Sequence, residues 1–172
     1  MLLRFLLVLL ALGPFAARAD AGSWTDIVDA AESLPRLHAL LVLVDGEPVV
    51  EHVRSGPGLE RPAPIKSLSK TVLSAVAGIA LDRGRLASVD VPLVEVLGPP
   101  PAGADPAVAD ITLAHALSLR TGLRSTSGRY YGAWVQSDDW VRHVLTRPMR
   151  DRPGGAMIYS TGSTHLVAAA LA

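Results

Sequence analysis

The spacing of apolar residues predicts a helix and then a β-hairpin in the first third of the chain. Four residues recur at helical spacing: Trp24, Ile27, Val28 and Ala31. We expect this helix to be capped by Ser23 or Thr25 and to end at Leu34-Pro35. Two β-rich runs, 37–44 and 47–53, then flank Asp45-Gly46. An Asp-Gly pair between such runs is typical of a two-residue hairpin turn.

The clearest helical pattern covers residues 67–83. Its apolar side chains form a broad face: Leu68, Val72, Ala75, Val76 and Ile79. Gly84 follows, where a left-handed residue commonly ends a helix. Gly78 and several alanines keep the segment slim. We therefore expect a helix that is buried between two layers.

Further along, the elements are shorter and are separated by segments without a period. We expect helices at 91–97, from Thr112 to Leu119, from Ser137 to about Thr146, and from Ser163 onward. Residues 157–159 resemble a short strand. The segment 98–109 is rich in Pro, Gly and Ala, and 121–136 has no period, so both are predicted to be irregular.

Residues 1–19 have the pattern of a signal peptide. Arg4 precedes an apolar run, Pro14 breaks it, and Ala17-Arg18-Ala19 gives a small-x-small cleavage site. The run is shorter than the roughly 20 residues that span a bilayer. We expect cleavage after Ala19, export to the periplasm or the extracellular space, and no membrane span in the mature chain.

Composition narrows the classes of partner. The formal net charge is zero and the 16 cationic residues form no basic stripe, which gives no reason to expect nucleic acid. There is no cysteine, so no disulfide stabilises the fold. The five histidines are dispersed without metal-ligand spacing. We therefore expect the protein to bind neither a metal nor a cofactor. We expect its partner to be a small molecule.

Ser67 and Lys70 are the first candidate for chemistry. Residues at i and i+3 lie on one face of a helix, so these side chains can meet. A serine hydroxyl is a weak nucleophile until a base takes its proton. Lys66 and Lys70 are the only lysines beside 14 arginines, and lysine can lose its proton whereas arginine cannot. The alternative is a solvated lysine in the first turn.

Tyr159 is the second candidate. A phenol beside a lysine can be shifted toward the phenolate and can then accept and donate a proton. The alternative is a tyrosine that only closes a loop.

Several short segments follow one another in a recognisable order. They are P-I-K-S-L-S-K-T at 64–71, G-I-A-L-D-R-G at 78–84, I-T-L-A-H-A-L at 111–117 with T-G-L at 121–123, R-P-G at 152–154, and Y-S-T-G at 159–162. In this order they resemble the class C β-lactamase-related serine hydrolases, a family that also includes D-alanyl-D-alanine carboxypeptidases, esterases and oligomer hydrolases. The resemblance covers about residues 35–172.

The resemblance implies an α/β fold, a β-lactamase/transpeptidase-like sandwich of antiparallel sheet and helices. Residues 20–172 would form its N-terminal part, without the later strands. It implies Ser67 as nucleophile, with Lys70 or Tyr159 taking its proton. Thr161 would have a supporting role where the family has asparagine. Three aromatic residues would border the active site and shape a substrate pocket, or lie in a surface loop: Tyr130, Tyr131 and Trp134.

The implied function is a serine hydrolase that opens amide, lactam or ester bonds through an acyl-enzyme. Its substrate would be a small acyl compound, such as a β-lactam, a D-alanyl peptide or an ester. The family also has a K-T-G or H-x-G motif beyond the tyrosine, and neither tripeptide occurs in this sequence. The apolar run 166–172 has no helix cap. The alternative expectation is therefore a catalytically inactive truncated fragment or a binding relic of that family.

Overall fold

A computed structural model describes residues 21–172, which divide into two compact units at Pro64 and Ile65. The predicted signal peptide, 1–19, lies outside the described residues. The assignment of 20–172 to one hydrolase domain stays a prediction.

The N-terminal unit contains a helix and a β-hairpin. Helix α1 spans Ala21–Glu32, so Ser23 and Thr25 lie inside it and the predicted cap is wrong. Strands β1, Ala39–Val44, and β2, Glu47–Val53, pair antiparallel as predicted. Asp45 and Gly46 have φ values of 53° and 87°, and left-handed backbone at both positions suits the right-handed twist of a hairpin.

The C-terminal unit contains six α-helices, which are short except for the first and the last. They are α2 (Ser69–Asp82), α3 (Leu93–Leu97), α4 (Leu113–Leu117), α5 (Tyr131–Val135), α6 (Trp140–Leu145) and α7 (Thr161–Leu171). Helix α7 contacts α2, α3, α4 and α6, and its Leu166 and Val167 are fully buried. The core of this unit therefore forms around α7.

Helix α2 buries a different stripe from the predicted one. Ala77 is fully buried and Leu73 packs against the same core. Leu68, Val72 and Ile79 are 63%, 55% and 51% exposed, so the predicted burial between two layers is wrong for the described residues. Both stripes are apolar, and helical periodicity alone does not decide which one faces α7.

Helix α6 begins later than predicted. Asp139 is its N-cap, and its Oδ1 accepts a hydrogen bond from the Arg142 backbone N–H at 2.8 Å. Ser137 instead donates to the Trp134 carbonyl at the end of α5. The cap predicted at Ser137 is wrong because that hydroxyl serves the preceding helix.

Other boundaries move for local reasons. Helix α4 ends at Leu117, two residues before the predicted Leu119, whose φ is 58°. Helix α7 begins at Thr161 and not at Ser163, and 157–159 form no strand. Helix α5 lies in the segment predicted to be irregular. Residues Pro106–Asp110, which overlap the segment 98–109 predicted to be irregular, form a 3₁₀ turn in which Val108 is buried.

The α/β class predicted from the sequence is confirmed. Across residues 21–172 the sheet has two antiparallel strands, and the remaining elements are helical. None of the helices in that range has both the length and the apolar character needed to cross a bilayer.

Candidate active site

Ser67 lies in a tight turn that leads into α2. Residues Lys66–Leu68 form a 3₁₀ turn, and α2 follows directly at Ser69. Lys66 has a φ of 50°, a left-handed conformation that costs a non-glycine residue about 1–2 kcal/mol. Ser69 closes the turn by donating from Oγ to the Lys66 carbonyl at 2.7 Å. A strained residue thus directly precedes the candidate nucleophile, as is common at functional sites.

The hydroxyls of Ser67 and Tyr159 form a hydrogen bond in which the two oxygens lie 2.7 Å apart. Lys70 lies in the first turn of α2, and its Nζ lies 5.3 Å from the centre of the Tyr159 ring. The fold therefore brings together the three residues that the sequence proposed for catalysis. Ser67 and Tyr159 are exposed and Lys70 is half-buried, so solutes reach the pair.

These contacts lower the pKa of Tyr159 below its ordinary value of 10.0. The hydrogen bond with Ser67 is the largest cause, and the Lys70 ammonium adds to it, while partial desolvation opposes both. A larger fraction of a phenol with a lowered pKa is ionised near neutral pH. This phenolate is the form that can accept a proton.

Tyr159 is held in place through its backbone. Its carbonyl accepts a hydrogen bond from Ser125 Oγ at 2.6 Å. The preceding Ile158 N–H donates to the Leu119 carbonyl at 2.8 Å. The 2.7 Å contact with Ser67 is thus supported by two bonds that fix the chain on either side of the ring.

The first turn of α7 is bonded to the segment Ser125–Ser127 through hydroxyl groups. Thr161 N donates to Ser127 Oγ at 2.8 Å, and Gly162 N donates to Thr126 Oγ1 at 2.8 Å. Two of the N–H groups that a helix N-terminus leaves unpaired are thereby satisfied from another segment. Ser160 bonds to Thr126 instead of capping its own helix.

The sequence analysis missed Ser125, Thr126 and Ser127. These hydroxyls position Tyr159 and Thr161, and the sequence signal is their adjacency within a segment that has no helical or strand period. Short polar side chains in such a segment often bond to backbone groups.

A cleft of about 360 Å³ opens beside Ser67. It is lined by Lys66, Ser67, Ser69, Lys70, Tyr131 and Thr161. Thr161 Oγ1 also lies 3.0 Å from Ser127 Oγ, so this hydroxyl is already bonded to the protein. A second, neighbouring cavity of about 290 Å³ shares Ser69, Lys70 and Thr161 and extends to Leu73 and Trp134.

The three candidate pocket aromatics take different places. Tyr131 lines the cleft at Ser67. Trp134 is 3% exposed, stacks edge-on against Tyr131 and His165, and borders the second cavity. Tyr130 lines neither cavity and lies among arginines.

Residues 35–172 match the family model named Beta-lactamase. The chain belongs to the beta-lactamase family.

A solved structure shares the fold of this beta-lactamase-family chain. It is a Bacillus anthracis protein described as a 6-aminohexanoate-dimer hydrolase, with a TM-score of 0.62 and 16% sequence identity. The match covers 86% of this chain and 41% of that protein. At this identity the likeness concerns the fold alone. A search of curated proteins found no match.

In this beta-lactamase-family chain, the candidate site consists of side-chain hydroxyls and one lysine. Within residues 21–172, no group of three or more His, Asp or Glu is arranged to hold a metal ion. These groups can transfer a proton between Ser67 Oγ and Tyr159 Oη beside the positive charge of Lys70.

Proposed function

We propose that this chain is a serine acyl hydrolase that acts on amide, lactam or ester bonds through an acyl-enzyme. The observation that carries the proposal is the 2.7 Å hydrogen bond between Ser67 Oγ and Tyr159 Oη, with Lys70 Nζ against the same ring. A nucleophile within hydrogen-bond reach of its base, and a third group that tunes the base, is the usual pattern of covalent catalysis.

In the first half of the reaction, the Tyr159 phenolate accepts the Ser67 proton and becomes a neutral phenol while Oγ attacks the substrate carbonyl carbon. The tetrahedral intermediate then expels its nitrogen or oxygen leaving group, which takes the proton from Tyr159. In the second half, Tyr159 takes a proton from water, and the hydroxide attacks the ester carbonyl and releases the carboxylic acid. The proton returns to Ser67 Oγ, so the enzyme ends unchanged.

Tyr159 is the more direct base of the two groups considered. Its hydroxyl is bonded to Ser67, whereas the Lys70 ammonium lies over the ring. The role of Lys70 is then electrostatic, since a positive charge beside a phenol favours the phenolate. In this proposal Tyr131 and Thr161 border the bound acyl group, because both line the cleft.

A catalytically inactive chain, or one that only binds acyl compounds, is the second candidate. A chain that lacks the family's K-T-G or H-x-G motif would behave in this way, and residues 1–172 contain neither tripeptide. By resemblance, that motif supplies an oxyanion donor, and loss of one such donor costs about 10²–10³ in rate. The chain spans 41% of the length of the solved structure it matches, so the activity of the whole protein is a proposal.

We further propose that the chain is exported to the periplasm or the extracellular space. The support is the signal-peptide pattern of residues 1–19. N-terminal sequencing of secreted material tests this, and a mature chain that retains Met1 would exclude cleavage at Ala19.

Covalent labelling of the full chain tests the hydrolase proposal. A fluorescent penicillin and a fluorophosphonate are each incubated with the protein, and the adduct is located by peptide mass spectrometry. We expect label on Ser67 and none in Ser67→Ala. Ser74→Ala is the matched control, since Ser74 is an exposed serine on the same helix that bonds only to the Lys70 carbonyl.

The outcomes separate the two candidates. A penicilloyl adduct on Ser67 that hydrolyses supports the hydrolase, whereas a penicilloyl adduct that persists supports an acyl-binding protein. The phosphonate adduct is stable in both cases and reports only that Ser67 is nucleophilic. If neither reagent labels Ser67 in the folded chain, the proposal is wrong.

A further inference from the structure

The second cavity adjoins the cleft at Ser67 and is lined by residues of α2, α5 and α7. Its volume is about 290 Å³, and it shares Ser69, Lys70 and Thr161 with that cleft. Because three residues line both spaces, a substituent on a substrate that is bound at Ser67 can extend into the second cavity. This cavity is therefore placed to select among substrates.

One stripe of each long helix of the C-terminal unit lines the cavity. On α2 the stripe includes Lys70 and Leu73, and on α7 it includes Thr161, Thr164 and Ala168, all at the three- or four-residue spacing of a helical face. Leu73 also packs against the core, which fixes its position. The side chain of Ala168 is a single methyl group, so it leaves space that a larger residue would fill.

Aromatic rings form the remaining wall. Trp134 and His165 line the cavity, and Trp140 lies against both of them, with ring centres 5.3 to 5.6 Å apart. Trp134 is 3% exposed, and its Nε1 donates to the Trp140 carbonyl at 3.2 Å. Because packing and this bond already hold the rings in place, a ligand binds here with little further loss of side-chain entropy.

The lining of the cavity carries little charge. Burial is the sole cause of the lowered pKa of His165, so its imidazole is neutral above pH 6.5. Lys70 is then the one ionised residue of the lining, and its ammonium lies against the Tyr159 ring. Apolar and aromatic walls with a few polar groups are typical of a small-molecule site, and they favour an uncharged substituent.

We propose that this cavity binds an aryl or similarly sized apolar group on the acyl part of the substrate. The inference rests on the proposed hydrolase function, in which Thr161 borders the acyl group, and Thr161 lines both spaces. An apolar cavity of about 150 Å³ already binds benzene. The volume of about 290 Å³ therefore accommodates a phenyl ring with its linking methylene. Trp134 and Ala168 are then specificity-determining residues.

Binding of an uncharged aromatic amide tests the subsite without requiring catalysis. Ligand-observed NMR titrations measure the Kd of phenylacetamide and of acetamide with the full chain carrying Ser67→Ala, so that no turnover occurs. We expect saturable binding of phenylacetamide, at least about tenfold tighter than that of acetamide, because the ring buries apolar surface that a methyl group lacks.

Ala168→Leu, made in the same background, fills the cavity from α7. We expect it to weaken phenylacetamide binding at least about tenfold, because the leucine occupies the volume that the ring needs. Ala169→Leu is the matched control, since Ala169 is the next residue of α7, is partly buried like Ala168, and lines neither cavity. Ala168→Met replaces Ala168→Leu if the latter does not fold, because its flexible side chain adapts to irregular space.

Kinetics on two esters extend the test to the proposed reaction. For p-nitrophenyl phenylacetate and p-nitrophenyl acetate, kcat/KM is divided by the rate constant of hydroxide hydrolysis, which removes the intrinsic reactivity of each ester. We expect the corrected ratio to favour the phenylacetate at least about tenfold with Ser67 intact. Ala168→Leu should reduce this ratio and Ala169→Leu should preserve it.

The outcomes separate the subsite from the hydrolase. Phenylacetamide binding that Ala168→Leu weakens, without hydrolysis of either ester, would support the subsite and count against the hydrolase. Hydrolysis of both esters, with phenylacetamide bound no tighter than acetamide, would overturn the subsite and leave the hydrolase standing. Equal weakening by Ala168→Leu and Ala169→Leu would also overturn the subsite, since the ring would then bind elsewhere.

Discussion

The hydroxyl oxygens of Ser67 and Tyr159 lie 2.7 Å apart although 92 positions separate the two residues in the chain. Ser67 is fixed by the turn that begins α2, and Tyr159 by backbone bonds to Leu119 and Ser125. The contact therefore depends on two separately anchored segments. Changes to the base, to its charged neighbour or to its anchors should have distinguishable effects.

Removal of the Tyr159 hydroxyl tests the base. Under the proposed function, we expect Tyr159→Phe to lower kcat/KM for a chromogenic ester by about 10²–10⁴. The ring is 45% exposed, so thermal melting should change little. Activity within a factor of a few of the wild type would mean that another group takes the Ser67 proton.

The charge of Lys70 should set the pH dependence. The pKa of Tyr159 is lowered from 10.0 by Ser67 and Lys70, and the phenolate is the active form. The rate should therefore rise with pH through a pKa below 10, and Lys70→Gln should move this rise to higher pH. Lys70→Arg keeps the charge and should shift it less.

A pH–rate profile of kcat/KM for the three proteins provides the measurement. If Lys70 is itself the base, Lys70→Arg should be as inactive as Lys70→Gln, because arginine does not deprotonate. That result would contradict the assignment of Tyr159.

The hydroxyl of Thr126 should contribute measurably to stability. Thr126→Val leaves the Gly162 N–H without its buried acceptor and removes the side-chain contact of Ser160 Oγ, which keeps only the bond from the Thr126 N–H. We expect a loss of about 1–3 kcal/mol in the free energy of unfolding. Urea denaturation measures the change. Thr71→Val, at an exposed position on α2, should change stability by less than about 0.5 kcal/mol.

Gly162 should tolerate no side chain. A β-carbon there would lie 2.7 Å from Thr126 Oγ1, so Gly162→Ala forces apart the first turn of α7 and the segment that holds it. We expect a loss of about 1–3 kcal/mol in urea denaturation.

Gly78→Ala is the control with the opposite sign. Gly78 lies in α2 with open space around its α-carbon, so alanine should stabilise the helix by about 0.5–1 kcal/mol. Similar effects of the two substitutions would contradict the steric argument.

Acidification should destabilise the C-terminal unit through two partly buried histidines. Burial lowers the pKa of His165, and burial together with the charge of Arg147 lowers that of His143, both from 6.5. The unfolded chain then binds more protons below pH 6.5. Stability from these groups is complete above that pH and declines as the pH falls through 6.5 toward the folded pKa.

His165→Gln should reduce this decline. Melting temperatures measured from neutral to mildly acidic pH should fall less steeply for the variant than for the wild type, with the remainder due to His143. Parallel curves for the two proteins would show that His165 titrates normally.

Local sequence signals were sufficient for much of the secondary structure. The Asp45-Gly46 pair specified its hairpin because both positions accept left-handed backbone, a property of the two residues themselves. Thr112 likewise specified the start of α4 through a bond to the His115 N–H three residues away. The i, i+3 spacing of Ser67 and Lys70, together with the family resemblance at Tyr159, also predicted which residues meet at the candidate site.

The cap of α6 and the buried side of α2 depended on tertiary contacts. Ser137 and Asp139 are both good capping residues, and the choice between them followed from the end of α5, where Ser137 bonds to Trp134. In α2 two apolar stripes were available, and contact with the core around α7 selected Leu73 and Ala77.

The sequence by itself determined most of the element order and the candidates Ser67, Lys70 and Tyr159. Ser67 and Lys70 follow from residue type and short-range spacing, and Tyr159 follows from residue type and the ordered family motifs. The tertiary structure decided how Tyr159 is held, through Ser125–Ser127, and where Tyr130 lies, among arginines. These relationships join segments some 17 to 34 residues apart, and they depend on how the helices pack. No local periodicity encodes such contacts, because their energies arise only when the segments are brought together.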